Sequence, residues 1–269
     1  DQNVDGICIL ANYSEQFLLS DDEREILTRL CIEHVSGRVP IITTVSHFST
    51  DIALSRAKLV KELGGEMLMM MPPYHGALMR GTSQQTFEQF AKVGEAGVTI
   101  MVQDAPLSGV DLPVPLLIKM AKEIETVKCF KIECAQAASK LRKLVVEGGD
   151  VIEGPFDGEE GITLFADLEA GATGNMSSAM IPDLIKPVVL DYLAGEFDKS
   201  EDKYNNILPL INYENRQCGF RATKVIMKEG GVINSDFCRH PIPPLEEQTK
   251  AGLIKLVKKY DPIALSWGK

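Results

Sequence analysis

The sequence lacks the features that mark several large classes of protein. No apolar run approaches the about 20 residues that a membrane-spanning helix needs, and residues 1–5 have neither the basic nor the apolar region of a signal peptide. Lysine and arginine form no run, and the 38 acidic residues outnumber the 28 basic ones. We therefore expect no membrane partner and no nucleic-acid partner, because an acidic surface repels polyphosphate.

Cysteine and histidine are too scattered for a structural metal site. The six cysteines form no CxxC pair and the four histidines form no HxxxH pair, whereas zinc sites need tighter clustering. Cys8 and Cys129 lie in apolar runs, where we interpret them as small core residues. Free thiols at this frequency are typical of a reducing compartment, so we expect a cytoplasmic protein. We predict neither a metal nor a cofactor.

The sequence does contain a regular alternation of strand-like and helix-like segments. Strand-like runs occur at 6–11, 39–44, 66–71, 98–103, 127–133, 151–153 and 172–177. The first is continuously apolar, as is typical of a strand buried on both faces. A helix-like segment follows each run, and the first begins at Ser20 with Glu23 in the capping-box position. The alternation predicts a parallel sheet, either an open doubly wound sheet or a closed (β/α)8 barrel. No GxGxxG or GxxxxGK[ST] motif follows a run, which counts against the open sheet.

Seven strand–helix pairs are visible, whereas a barrel needs eight. The chain begins almost directly on a strand, so we expect the first strand and helix of the barrel to lie upstream. Residues 1–198 are predicted to form the barrel from its second strand onward. Residues 199–269 are predicted to form an all-helical C-terminal extension, with helices near 204–211, 220–228 and 245–259.

Lys131 and Glu133 are candidate catalytic residues at the end of the fifth strand-like run. Alternate residues of a strand share a face, so both side chains face the barrel interior while Phe130 and Ile132 face the helices. Catalytic residues of parallel barrels lie at these carboxyl ends. Burial lowers the pKa of a lysine and frees its amine for Schiff-base chemistry. The pattern alone also allows a solvated ion pair at a fraying strand end.

An ordered set of motifs resembles the dihydrodipicolinate synthase / N-acetylneuraminate lyase family of Schiff-base lyases. The set comprises residues 11–15 for the family's GTTGE loop, 39–42 for its third strand, 71–74 for PxYY, 104–106 for NxP, 130–131 for the lysine of GIK, 171–174 for GAxG and 239–241 for RxP. Each motif is weak alone, but their order is specific. The resemblance implies a (β/α)8 barrel with a C-terminal helical extension, a homotetramer, a small-molecule 2-keto acid as substrate, and Lys131 as the Schiff-base lysine.

Several positions depart from the family pattern. Gln103 replaces the tyrosine that moves a proton in the family's aldolases and synthase. An amide cannot act as a general acid or base near pH 7, so we expect Gln103 to hydrogen-bond substrate or an ordered water. The carboxylate-binding threonines become Asn12 and Tyr13, with Ser14 in place of glycine, and the second tyrosine of PxYY becomes His75.

We expect these loop residues to bind the substrate. Asn12, Tyr13 and Ser14 follow the first strand, and His75 follows the third together with Tyr74. The sequence leaves open whether Tyr74 touches the site or packs beneath it.

Loss of the tyrosine and gain of Glu133 beside the lysine favour dehydration over aldol cleavage. Cleavage removes a proton from the C4 hydroxyl, whereas dehydration removes one from C3 and expels the hydroxyl with acid assistance. The departures most resemble the 2-keto-3-deoxy-L-arabonate dehydratase branch, which implies a hydro-lyase of pentose catabolism that makes 2-oxoglutarate semialdehyde. A class I aldolase that releases pyruvate, or an inactive keto-acid-binding homologue, remains the alternative.

A second carboxyl group is needed to assist the leaving hydroxyl. Glu159 and Glu160 follow the next strand at the same mouth, and the resemblance favours Glu160. The alternative is that both are acids favoured at a helix N-terminus by the helix dipole.

Overall fold

The computed structural model describes residues 1–75 and 79–267. Its strands are β1 (Ile7–Ile9), β2 (Ile41–Thr44), β3 (Met67–Met70), β4 (Tyr74–His75), β5 (Met79–Arg80), β6 (Thr99–Asp104), β7 (Val127–Ile132), β8 (Glu153–Asp157) and β9 (Gly174–Asn175). The strands β4 and β5 pair as a separate antiparallel ribbon, and the other seven form one parallel sheet. All seven predicted strands are present, although the one predicted at 151–153 is displaced, because Gly149–Val151 form a 3-10 turn and β8 begins at Glu153.

The spatial order of the parallel strands follows their order in the chain, β1-β2-β3-β6-β7-β8-β9. A doubly wound sheet reverses its order at a switch point, and this sheet does not, so the barrel interpretation is confirmed. Within the described ranges the sheet is open between β1 and β9. The N-terminal residues contact the β9 side, because Gln2 donates to the carbonyl of Ala179 and Lys186 binds Asp5 at 2.7 Å.

Helices cover the outer face of the sheet. They are α1 (Asp21–Val35), α2 (Thr50–Glu62), α3 (Ser83–Gly94), α4 (Val114–Glu123), α5 (Ala137–Gly148), α6 (Leu164–Glu169) and α7 (Pro182–Leu193). The predicted capping box of α1 is present, since the Ser20 hydroxyl accepts from the Glu23 N–H while the Glu23 carboxylate accepts from the Ser20 N–H. None of the helices in the described ranges combines the length and apolarity that crossing a bilayer requires.

The start of α6 differs from the prediction. The sequence pattern predicted a helix from residue 159, whereas α6 begins at Leu164. Glu160 has a left-handed backbone with a φ of 57°, which is incompatible with a right-handed helix. The interpretation of Glu159 and Glu160 as acids of a helix N-terminus is therefore wrong, and both lie in a loop.

The inner face of the sheet carries a layer rich in sulfur. Met69, Met101 and Cys129 are neighbours in register on β3, β6 and β7 and form a buried cluster against which Cys8 packs. The prediction that Cys8 and Cys129 are core residues is confirmed. Lys131 lies two residues beyond Cys129 and therefore shares its face.

The C-terminal extension is helical and shares a core with the last two barrel helices. It contains α8 (Phe197–Tyr213), a π-turn (Glu214–Cys218), α9 (Arg221–Glu229), α10 (Glu247–Val257) and α11 (Ile263–Ser266). One apolar cluster joins residues of α8, α9 and α10 to residues of α6 and α7. The helix α8 begins at Phe197, and the domain boundary at 198/199 stays a prediction.

Ion pairs hold the loop after β1 against the extension. The Lys224 ammonium binds the Glu15 carboxylate, and Arg239 forms two bonds to the carboxylate of Glu23, at 2.6 and 3.0 Å. Arg239 also donates to the carbonyl of Leu18 at 3.2 Å. The extension thereby fixes the segment that carries Asn12, Tyr13 and Ser14.

Candidate active site

Lys131 lies on the inner face of β7 beside a carboxylate. Its Nζ is 3.2 Å from Oε2 of Glu133, and the two side chains are only 7% and 19% exposed. The Glu133 N–H donates to the carbonyl of Asp104 at 2.9 Å, which extends the β6–β7 ladder one residue past the end of β7. This ladder excludes a fraying strand end, and the ion pair is buried rather than solvated.

Gln103 joins this pair from the neighbouring strand. It is opposite Lys131 in the β6–β7 register, and its Nε2 donates to Oε2 of Glu133 at 2.8 Å. The side chain is buried, and among the described residues its Oε1 has no hydrogen-bond partner. The sequence predicted that Gln103 hydrogen-bonds substrate or an ordered water. It did not predict the hydrogen bond to Glu133.

The charge state of Lys131 differs from the sequence expectation. Burial lowers the pKa of Lys131, but the Glu133 carboxylate, joined by Glu160 when that group is ionised, outweighs this and leaves the pKa raised. The prediction that burial alone would free the amine was therefore wrong. The lysine is an ammonium at rest, so Schiff-base formation requires that a neighbour accept its proton first.

Glu160 approaches the lysine from the loop after β8. The residue is partly exposed, but its Oε2 is buried and has no hydrogen-bond partner among the described residues. Burial raises the pKa of Glu160 to about 8, and Glu214 and Glu133 add to this while the Lys131 charge opposes it. A carboxyl with this pKa is protonated at neutral pH and can donate a proton.

Asp157, at the end of β8, fixes the loop that carries Glu160. Its Oδ1 accepts from the Glu159 N–H at 3.3 Å, and its Oδ2 accepts from the Gly161 N–H at 3.1 Å and from the Asn175 amide. Burial and contact with the Asp167 carboxyl raise the pKa of Asp157. Asp157 therefore shapes the left-handed turn at Glu160.

The loop after β1 forms another wall of the mouth. Asn12, Tyr13 and Ser14 form a single 3-10 turn. The Oδ1 of Asn12 accepts from Gln16 at 2.5 Å, and the Tyr13 hydroxyl donates to Oδ1 of Asn215 at 2.8 Å. Burial and the charges of Glu160 and Glu214 raise the pKa of Tyr13, so its phenol stays neutral. The Ser14 side chain is exposed.

The ribbon after β3 carries the other two predicted binding residues. The Tyr74 ring packs edge-on against Phe17, with ring centroids 6.4 Å apart. Among the described residues, the Tyr74 ring thus contacts an aromatic ring of the loop after β1 and none near Lys131. The side chain of His75 lies outside the described part of the chain.

Sequence reasoning missed the contribution of the π-turn. Glu214 is 2% exposed, and its Oε1 accepts from the Ser178 hydroxyl in the loop after β9. Arg216 binds Glu159 at 3.1 Å. No motif marked these residues, because the segment continues the helical pattern of α8.

Neither a cysteine nucleophile nor a cluster of metal ligands is found among the described residues. Burial raises the pKa of Cys8 to about 11, which keeps the thiol protonated and a poor nucleophile. Within the described ranges no group of three or more histidine, cysteine, aspartate or glutamate side chains could hold a metal ion.

Similarity to known proteins agrees with this geometry. A model of the dihydrodipicolinate synthetase family matches residues 1–260. The chain belongs to this family. The resemblance inferred from the ordered motifs is thereby confirmed, and the seven-stranded sheet with its outer helices is the TIM-barrel fold of the dihydrodipicolinate synthetase family.

The relatives of this chain differ in their sequence identity to it. An L-2-keto-3-deoxyarabonate dehydratase of Azospirillum brasilense is 52% identical over 268 residues, which cover 99% of this chain and 87% of the relative. A 4-hydroxy-tetrahydrodipicolinate synthase of Maridesulfovibrio salexigens is 24% identical, covering 94% of this chain and 86% of the relative. The solved structure of the 4-hydroxy-tetrahydrodipicolinate synthase from Methylacidiphilum fumariolicum SolV has a TM-score of 0.89 and 22% identity, and it covers 98% of this chain and 87% of that one.

Proposed function

We propose that this chain is a Schiff-base-forming hydro-lyase that dehydrates 2-keto-3-deoxy-L-arabonate to 2-oxoglutarate semialdehyde. The observation that carries the proposal is the Glu133 carboxylate 3.2 Å from the Lys131 ammonium, with an amide, Gln103, where the family pattern has a phenol. The 52% identity to the dehydratase of Azospirillum brasilense supports the same reaction.

In the first step Lys131 attacks the C2 carbonyl of the substrate. Glu133 accepts the proton that the ammonium must lose, the nitrogen–carbon bond forms, and the carbonyl oxygen becomes the hydroxyl of a carbinolamine. Glu133 then returns the proton to this hydroxyl, which leaves as water, so Glu133 is again a carboxylate when the iminium has formed. The loop of Asn12, Tyr13 and Ser14 would hold the substrate carboxylate. Tyr74 and His75 stay predictions for substrate contacts further from the lysine.

Dehydration follows on the resulting iminium. Glu133, as a carboxylate, removes a proton from C3 and forms an enamine. The enamine electrons then expel the C4 hydroxyl, which leaves as water after accepting the proton of Glu160. The Glu160 carboxylate then removes a proton from C5 while Glu133 returns its proton to C3, so the double bond moves from C3–C4 to C4–C5 and gives the enol of an aldehyde. The enol becomes the aldehyde when its hydroxyl proton moves to C4. Hydrolysis of the imine consumes the water released when it formed, so the net change is the loss of one water.

We also propose that the chain is a homo-oligomer, a tetramer as the family resemblance implies. Leu190, Leu193 and Phe197, at the α7–α8 corner, are each more than half exposed. Neighbouring exposed apolar side chains are typical of protein–protein interfaces. Light scattering coupled to gel filtration tests the oligomeric state.

We propose a cytoplasmic location and a role in the catabolism of pentose sugar acids. The six cysteines are all free, which supports a reducing compartment. Fractionation of the source cells tests the location.

The decisive experiment identifies the adduct and the product together. The protein is incubated with a panel of 2-keto-3-deoxy acids, reduced with borohydride and weighed as an intact chain, while the supernatant is analysed for small molecules. We expect an adduct on one lysine and an undivided five-carbon semialdehyde. Pyruvate and an aldehyde as main products would instead identify an aldolase, and the absence of any adduct would identify a non-catalytic homologue.

A further inference from the structure

The C-terminal extension contributes a buried carboxyl that the steps above do not use. Glu214 begins the π-turn, and its Oε1 accepts from the Ser178 hydroxyl in the loop after β9. The next residue, Asn215, accepts from the Tyr13 hydroxyl of the β1 loop. π-turns inside helices occur frequently at functional sites. This one joins two of the loops that form the mouth of the barrel.

We propose that Glu214 is a positioning residue for the dehydration: its carboxylate, fixed by Ser178, keeps on Glu160 the proton that the leaving hydroxyl takes. The inference rests on the proposed function, because it requires Glu160 to be the acid.

The buried charges of the site do not balance without a retained proton. Lys131 is the one buried ammonium that the described residues bring to this site, and Glu133 forms its ion pair. Neither Glu160 nor Glu214 has an ion-pair partner in the described ranges. Because an unpaired buried carboxylate is costly, one of the two carboxyls, Glu160 or Glu214, keeps its proton.

Hydrogen bonding decides which of the two carboxyls ionises. The Ser178 hydroxyl donates to Glu214 and stabilises its anion. The Oε2 of Glu160 is buried and has no donor among the described residues. The Lys131 ammonium is already paired with Glu133, so the anion forms on Glu214 and the proton remains on Glu160.

The acidities of the two groups agree with this assignment. Burial raises the pKa of Glu214 to about 7, although Ser178 opposes the shift, and burial raises the pKa of Glu160 to about 8. As pH rises Glu214 ionises first, and its charge then hinders ionisation of Glu160. The titratable groups that face Glu160 are Lys131, Glu133, Asp157, Glu214, Tyr13 and Cys8. The charge of Lys131 favours the Glu160 anion, whereas those of Glu133, Asp157 and Glu214 oppose it.

The test follows the proton of Glu160 directly. Infrared titration of the full-length protein records the bands of buried carboxylic acids, and the band that disappears in Glu160→Gln belongs to Glu160. In Glu214→Gln the repelling charge is absent, so we expect the midpoint of that band to move to lower pH by about one unit. The alkaline limb of the dehydration rate should move by the same amount.

Two variants separate this effect from a general disturbance. Glu159→Gln disturbs the same loop and, through Arg216, the same π-turn, but it removes no buried charge, so the midpoint should not move. Ser178→Ala keeps both carboxyls but removes the Ser178 hydrogen bond to Glu214, which raises the pKa of Glu214 and should move the Glu160 midpoint to lower pH by a smaller amount. If Glu214→Gln does not fold, Ser178→Ala replaces it as the test variant.

The outcomes distinguish this inference from the proposed function. An unmoved Glu160 midpoint in Glu214→Gln or, where that variant does not fold, in Ser178→Ala would overturn the role of Glu214, whatever happens to turnover. Product analysis of the unaltered protein tests the dehydratase separately, since the infrared midpoint is measured without turnover.

Discussion

Gln103 donates to Oε2 of Glu133 across 2.8 Å, and the same carboxylate oxygen lies 3.2 Å from the Lys131 ammonium. Two donors on one oxygen fix the orientation of the carboxylate and leave its other oxygen for a substrate proton. A tyrosine at position 103 would bring a proton-transfer group of its own. The amide instead acts by holding the base.

Removal of this amide should weaken the dehydration without abolishing it. In Gln103→Ala one hydrogen bond to Glu133 is lost, a contribution of about 1.4 kcal/mol, so we expect turnover to fall about tenfold. Gln103→Tyr restores a phenol near the C4 hydroxyl and should release a trace of pyruvate. Both variants and the parent are assayed side by side for pyruvate and semialdehyde. Pyruvate as the main product of the parent would mean that Gln103 has been misinterpreted.

Glu133→Gln should separate Schiff-base formation from dehydration. The amide is isosteric but cannot accept the C3 proton, and loss of a general base typically lowers turnover about 10²–10⁴-fold. The borohydride-trapped pyruvate adduct should still form, with the proton of Lys131 passing to water. The matched control is Glu153→Gln, which replaces an exposed glutamate at the start of β8. Turnover of Glu133→Gln within a few-fold of the parent would show that Glu133 is structural.

Lys131→Ala should abolish the trapped adduct. The inner face of β7 carries this lysine, whereas Lys128 on the same strand is not next to a carboxylate in the described ion pairs. Lys128→Ala is therefore the control and should keep the adduct. Intact-mass analysis after borohydride and pyruvate measures both. An undiminished adduct on a different lysine would contradict the whole mechanism.

The barrel and its lysine were predictable because parallel strands obey simple rules. Strands buried on both faces are continuous apolar runs, and the pleat puts Lys131 and Glu133 on one face regardless of tertiary detail. Both features are local in sequence, so the prediction needed no knowledge of the partners across the barrel.

The rest of the site depends on contacts that are distant in sequence. Glu214 meets Ser178 across 36 positions, and the π-turn that carries it continues the periodicity of α8. Gly158 and Gly161 mark a turn after β8, but the left-handed backbone falls on Glu160 as well as on Gly161, and the Asp157 carboxyl that accepts from the Glu159 and Gly161 N–H groups shapes it. Such features follow from tertiary packing and not from a local pattern.

The acidity of Glu160 predicts how the rate depends on pH. A general acid must be protonated, and burial raises the pKa of Glu160 to about 8. We therefore expect the rate to hold below about pH 8 and to fall about tenfold per unit above it. A pH profile of turnover with Glu160→Gln alongside measures this. The variant should be slow throughout and lack that alkaline limb; a limb that persists would assign the ionisation to another group.

The ion pair behind the site should contribute mainly to stability. Lys140 of α5 lies 2.5 Å from Oδ2 of Asp104, with the two side chains 15% and 4% exposed. Lys140→Met would leave a buried carboxylate unpaired, which costs about 3 kcal/mol of unfolding free energy. Denaturant unfolding at fixed protein concentration measures the loss. The surface pair of Lys92 and Glu95, about half exposed, gives the control, since Lys92→Met should leave the stability nearly unchanged.

Adding a second substitution identifies the cause of that loss. Lys140→Met combined with Asp104→Asn removes the unpaired charge as well as its partner, so it should recover most of the lost stability. Recovery assigns the effect to the buried charge. If the double variant is as unstable as Lys140→Met alone, the loss comes from the packing of the lysine stem, and the ion pair is not what stabilises this part of the barrel.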